Sequence, residues 1–141
     1  MTCSPQNYLV AAQNVQAHAS NEGCFRAASN RSYYAAFHRC KVFIAALPQL
    51  NSVQGSGEHE QLINWLTFPS KKLTSNLQDR STTIGRYLRE MCDARVQADY
   101  CPSTVFIKDQ MDESLNNAYI IFAGASETKG PISNEIGLLI K

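Results

Sequence analysis

CFRAASNRSYYAAFHRCKVFIAAL, residues 24–47, reads as one long helix. Tyr33, Phe37, Cys40, Ile44 and Leu47 recur at three- and four-residue steps, the spacing that lays an apolar stripe along an α-helix facing a core. Pro48 forbids its continuation, because a proline has no backbone N–H and its ring clashes with the preceding turn. Nowhere else does the chain give a sustained alternating pattern of the kind a half-buried strand requires. The expected fold class is therefore all-α, an up-and-down bundle of four to five helices.

The other helices follow from the same periodicity. Ser4-Pro5 opens a first helix with a hydroxyl cap and a proline at the first turn, and "SNEG" breaks it after about Ser20. "PQLNSVQGSGE", residues 48–58, is a polar Gly/Ser/Asn-rich loop. A short helix holding Leu62, Trp65 and Leu66 is expected from Glu58 to Thr67, and a long one from near Lys71 that carries Leu73, Leu77, Ile84, Tyr87, Leu88, Met91 and Arg95 at three- and four-residue steps. Pro102 ends it. A fifth helix, from about Val105 to Ser126, places Met111, Leu115, Ala118, Tyr119 and Phe122 on one stripe. Residues 1–130 thus make the bundle, and 131–141 form a C-terminal tail apolar enough to dock on it or on a neighbour.

Composition narrows the class further. With 141 residues, 44% hydrophobic and 18% charged, the chain is expected to close a single core rather than stay disordered. Five cysteines without a CxxC pair fit reduced thiols better than a disulfide framework or a zinc site. "MTCSPQNYLV" lacks a basic patch followed by an apolar run, and no apolar stretch approaches the ~20 residues that span a bilayer. A cytoplasmic location is the expectation. There is no glycine-rich phosphate loop, no cluster with metal-ligand spacing and no Ser-His-Asp pattern, so neither metal nor cofactor is predicted.

The second helix has another face. At about 100° per residue, His38 falls within about 20° of Arg31 and two turns along. Tyr34, Ala35, Val42 and Ala45 share that strip, which turns away from the core stripe. An apolar strip carrying two polar groups suits a contact surface better than a solvated one. From Gly23 through Gly57 there is no Asp or Glu, while Arg26, Arg31, Arg39 and Lys41 all lie inside, so the helix is locally basic in a protein of net charge +1. A guanidinium offers a fixed fork of donors to phosphate oxygens. An imidazole titrates near neutrality and can move a proton between oxygens. Metal-free RNA cleavage needs a base for the 2′-hydroxyl, a cation for the phosphorane and an acid for the leaving 5′-oxygen. One Arg and one His are half of that set, and a twofold dimer packed through this strip would supply the rest.

These residues resemble a known family. "ASNRSYYAAFHRCKVFI" (28–44) looks like the signature helix of HEPN domains, in particular the small bacterial branch with R-x-Y-Y-A-x-F-H. "EHEQLINWL" (58–66) resembles the family's short helix opening with a histidine. "LREMCDARVQADY" (88–100) is similar to its R-x-x-A-D-Y ending, and "LNNAYIIF" (115–122) to its last core helix. The resemblance implies a helical bundle, usually dimeric, whose R-x4–6-H motif forms a metal-independent ribonuclease site across the dimer interface. On this chain the motif falls on Arg31 and His38 as catalytic residues, with Ser32, Tyr34 and Arg39 as candidate substrate contacts. RNA is the implied substrate. An antitoxin or a nucleotidyltransferase-like protein is the implied partner of a toxin or phage-defence component. Other members keep the fold as a non-catalytic module that binds a nucleotide or such a partner. Two positions depart from the pattern. Ser32 stands where active members often carry Asn, Asp or His, and Cys40 stands where the branch controlled by nucleotide addition has a tyrosine.

Outside the motif, His59 reads as a helix-start or hydrogen-bonding residue. Arg95, Asp99 and Tyr100 read as structural, with Arg95 paired to a carboxylate or to carbonyls near the helix end.

Overall fold

The computed structural model describes residues 3–47 and 57–125. It is an all-α bundle of five helices: α1 (Pro5–Ala17), α2 (Glu22–Ala45), α3 (Glu58–Thr67), α4 (Ser75–Tyr100) and α5 (Lys108–Gly124). Among the described residues there is no strand. The loop expected at 48–58 lies outside the described residues except for its last two, and the tail expected at 131–141 lies outside them entirely.

Helix ends follow local chemistry. Ser4 Oγ accepts from the Asn7 N–H at 3.2 Å, and Asn21 Oδ1 accepts from the Cys24 N–H at 3.0 Å; each satisfies a donor that the first turn leaves open. Two helices start later than periodicity predicts. α4 begins at Ser75 rather than near Lys71, because Thr74 is the cap, its Oγ1 accepting from the Leu77 N–H at 3.2 Å. α5 begins at Lys108 rather than Val105, where Gln110 Oε1 reaches back to the Ile107 N–H at 2.8 Å.

α2 is the central element, packed against α1, α4 and α5. Its expected stripe is in the core: Tyr33, Phe37, Cys40 and Leu47 are buried, and Ile44 packs at the margin. Small residues let the neighbours close in. Ser29 and Ser114 hydroxyls meet at 2.8 Å between α2 and α5. Between α3 and α4, a Cβ on Gly85 would lie 2.9 Å from the Thr67 backbone nitrogen, so only glycine permits that crossing. Beside it, Ser81 Oγ donates to the Leu66 carbonyl at 2.8 Å. These contacts fix α3 on α4, and α3 brings His59 to α2.

Arg26 ties the bundle at its other end. Its Nη1 donates to the carbonyls of Gln97, Ala98 and Cys101 at 3.0, 2.9 and 3.3 Å, and its Nη2 donates to the Thr104 carbonyl. The first three carbonyls belong to the end of α4 and its cap, where the backbone leaves acceptors open and the helix dipole favours a cation, and Thr104 lies in the connection to α5. Glu22 pairs with the same guanidinium at 2.8 Å, and Phe106 packs beneath it.

Candidate functional site

Arg31 and His38 lie on the outer arc of α2. Arg31 is exposed and makes no hydrogen bond or ion pair among the described residues. His38 is half-buried. Its ring stacks on Tyr8 of α1, with centroids 4.9 Å apart and planes 18° from parallel, and Phe37 meets it edge-on at 5.4 Å. Burial, helped by the nearby Lys41 ammonium, holds the His38 pKa below the ordinary imidazole value, against the pull of Glu58. The neutral form, which accepts a proton, is therefore the favoured one near neutrality.

Three further groups converge beside it from separate elements. His59, at the start of α3, stacks on Phe37 at 4.3 Å, and its Nδ1 lies 2.6 Å from the Tyr33 hydroxyl. The Arg95 guanidinium of α4 sits over the rings of Tyr33 and Tyr34, at 5.4 and 5.7 Å, and pairs with Asp99 at 3.5 Å. Tyr34 is the hub of the group: His38 and His59 lie 6.4 and 6.2 Å from its ring. Burial pushes the Tyr33 hydroxyl far above the ordinary phenol value, so it remains a donor. Burial and the Arg95 charge lower the His59 pKa. The pairing expected for Arg95 is present. Its packing on the two tyrosines and the place of His59 were not legible, because the three segments are distant in sequence and only the fold joins them.

Several expectations need correction. Ser32 is fully buried and its hydroxyl donates to the Ser29 carbonyl at 2.9 Å, so it faces the interior and not a substrate. Ala35 is also fully buried, in the core cluster that includes Leu9 of α1. The contact strip is therefore narrower than the helical wheel implies, consisting of Tyr34, Val42 and Ala45 around the two polar groups. The basic character of α2 is mostly spent inside the chain. Arg26 caps α4, the Arg39 guanidinium lies 4.9 Å over the Phe122 ring of α5, and Lys41 pairs with Glu58 at 2.7 Å. Arg39 is half-buried where it packs on that ring. Next to the Lys41–Glu58 pair, a groove of about 170 Å³ is lined by Ile44, Leu62 and Trp65.

The two lowered histidines link stability to pH. Unfolded imidazoles titrate near 6.5, so the folded chain binds fewer protons than the unfolded chain below that pH. The stabilisation is whole above about 6.5 and is lost as pH falls through the lower folded values. The melting temperature should accordingly drop between about pH 7 and pH 5, and a His38→Asn/His59→Asn variant should be flatter over that window. An equal slope in both proteins would show that these imidazoles carry no such linkage.

Among the described residues no three His, Cys, Asp or Glu side chains group as metal donors, and no helix is long and apolar enough to cross a membrane. No family model, curated protein or solved structure matches the chain.

Proposed function

We propose that the protein is a metal-independent endoribonuclease of the HEPN type, acting as a homodimer in the cytoplasm as a toxin or phage-defence component. One observation carries this reading. Of the four cations on α2, Arg26, Arg39 and Lys41 are engaged by their own chain, whereas Arg31 makes no hydrogen bond or ion pair among the described residues and lies on the same outer arc as a half-exposed, neutral-leaning histidine. An exposed guanidinium that makes no hydrogen bond or ion pair among the described residues suits a phosphate ligand. His38, held in orientation by Tyr8, takes the proton of the 2′-hydroxyl, and Arg31 stabilises the charge that grows on the phosphorane. Tyr34 lies between them as a surface for a base. A second copy packed through Val42 and Ala45 brings a second Arg31 to the phosphate.

The test is purified protein with single-stranded RNA in excess chelator. Cleavage that persists supports the reading, and cleavage that disappears with the metal contradicts it. If no RNA is cut and the protein instead forms a stable complex with a nucleotide, an antitoxin or a nucleotidyltransferase-like protein, the chain is a non-catalytic HEPN module.

A further inference from the structure

The geometry points to His59 as a second catalytic group, the general acid that works with His38 in the same protomer. The inference rests on the ribonuclease reading and adds a residue to its chemistry. Three contacts carry it. His38 and His59 both lie against the Phe37 ring, at 5.4 and 4.3 Å, so one side chain separates two half-buried imidazoles. Tyr34 meets both at nearly equal distance, 6.4 and 6.2 Å, so one half-exposed ring borders both imidazoles. Tyr33 holds His59 Nδ1 at 2.6 Å, a contact His38 lacks an equivalent of in its stacking on Tyr8.

That last contact sorts the roles. With Nδ1 engaged by Tyr33, Nε2 is the His59 nitrogen left to exchange a proton. When His59 is protonated, its Nδ1–H finds an acceptor in the Tyr33 oxygen, so the cation is held in one orientation while Nε2–H is given away. Charges around His59 come from every neighbouring element: Arg95 of α4, Lys41 and His38 of α2 oppose its protonation, and Glu58 of α3 favours it. A bound phosphodiester adds negative charge to that balance and favours the imidazolium.

The step balances within one protomer. His38 takes the 2′-hydroxyl proton as the O2′–P bond forms, the P–O5′ bond breaks, and O5′ leaves with the Nε2 proton of His59. The products are a 2′,3′-cyclic phosphate and a 5′-hydroxyl, with His38 protonated and His59 neutral until solvent resets both.

The experiment compares RNA with uridine 3′-(4-nitrophenyl phosphate), whose leaving group departs without a proton. His59→Asn keeps a polar group for Tyr33 but cannot titrate. It should lose about 10²–10⁴-fold on RNA, the usual contribution of a general acid, and stay within a few-fold of the parent on the aryl ester. His38→Asn should lose both activities. Equal loss by His59→Asn on the two substrates, or no loss on either, overturns the assignment of His59 while leaving the ribonuclease reading intact. If the parent protein cleaves neither substrate, the ribonuclease reading itself has failed and this inference falls with it. Tyr33→Phe provides a control for position: a reduced RNA rate, with the aryl ester spared, is the expected pattern.

Discussion

His38→Ala is expected to lower kcat/KM for RNA cleavage by about 10²–10⁴-fold, with Arg31→Ala close behind, while both variants remain folded. The loss corresponds to roughly 3–5 kcal/mol of transition-state stabilisation, more than any packing change at a half-exposed position would cause. Removing the His38 imidazole takes away the proton acceptor and also the partner that stacks on Tyr8. His38→Asn checks that the chemistry, not the loss of volume, is responsible, and it should be as inactive as the alanine variant. Arg31 offers a cleaner case. It is exposed and makes no hydrogen bond or ion pair among the described residues, so its truncation should leave the melting temperature within about 1–2 °C of the parent. Arg31→Lys keeps the charge but not the planar fork, and should recover only part of the rate. If the protein slows its host on expression, either alanine variant should restore growth. Full activity in His38→Ala would remove the site from α2 altogether.

Arg26→Ala should be the most destabilising substitution of a charged residue in the bundle, by about 2–4 kcal/mol. One guanidinium reaches the Gln97, Ala98, Cys101 and Thr104 carbonyls and pairs with Glu22 above the Phe106 ring. Truncation leaves those acceptors at the end of α4 without their donor, in a part-buried place that water fills poorly. It also exposes Phe106, which is otherwise buried. For a domain of this size the melting temperature should fall by roughly 10 °C, read by thermal unfolding. Lysine should restore less than half of that, since an ammonium cannot span the same set of carbonyls. An unchanged melting temperature in Arg26→Ala would show that the end of α4 is held by other contacts.

The helices were legible because burial imposes a period. α3 spans Glu58–Thr67 as expected, and the buried side of α4 carries Leu77, Ile84, Leu88, Met91 and Arg95, with Leu73 buried just ahead of its first turn and Tyr87 half-buried. The starts of α4 and α5 were less legible, since Thr74 and Gln110 set them by hydrogen bonds that a hydrophobic pattern does not record. At Tyr119 periodicity misleads: the residue is 39% exposed, with its hydroxyl accepting from Gln13 Nε2, and Ile121 fills the core instead. For the site, the helical wheel placed Arg31 and His38 together but not their neighbours. It says nothing of where α1 lies, so Ala35 looked like surface. Counting charge made all of α2 look basic, yet a count does not reveal that Glu58, Phe122 and the end of α4 already claim three of its four cations. His59 opens α3 and hydrogen-bonds as its position suggests, but its partner Tyr33 is not legible, because their meeting depends on how closely α3 crosses α4 at Gly85.

The chemical identity of the new RNA ends tests the central claim most directly. A site in which an imidazole activates the 2′-hydroxyl and a guanidinium steadies the phosphorane leaves a 2′,3′-cyclic phosphate, or the phosphate it hydrolyses to, facing a 5′-hydroxyl. That is the result expected from the purified protein in chelator. Fragments carrying 5′-phosphate and 3′-hydroxyl ends would mean that water, not the ribose, attacks the phosphorus, and would contradict the account of Arg31 and His38.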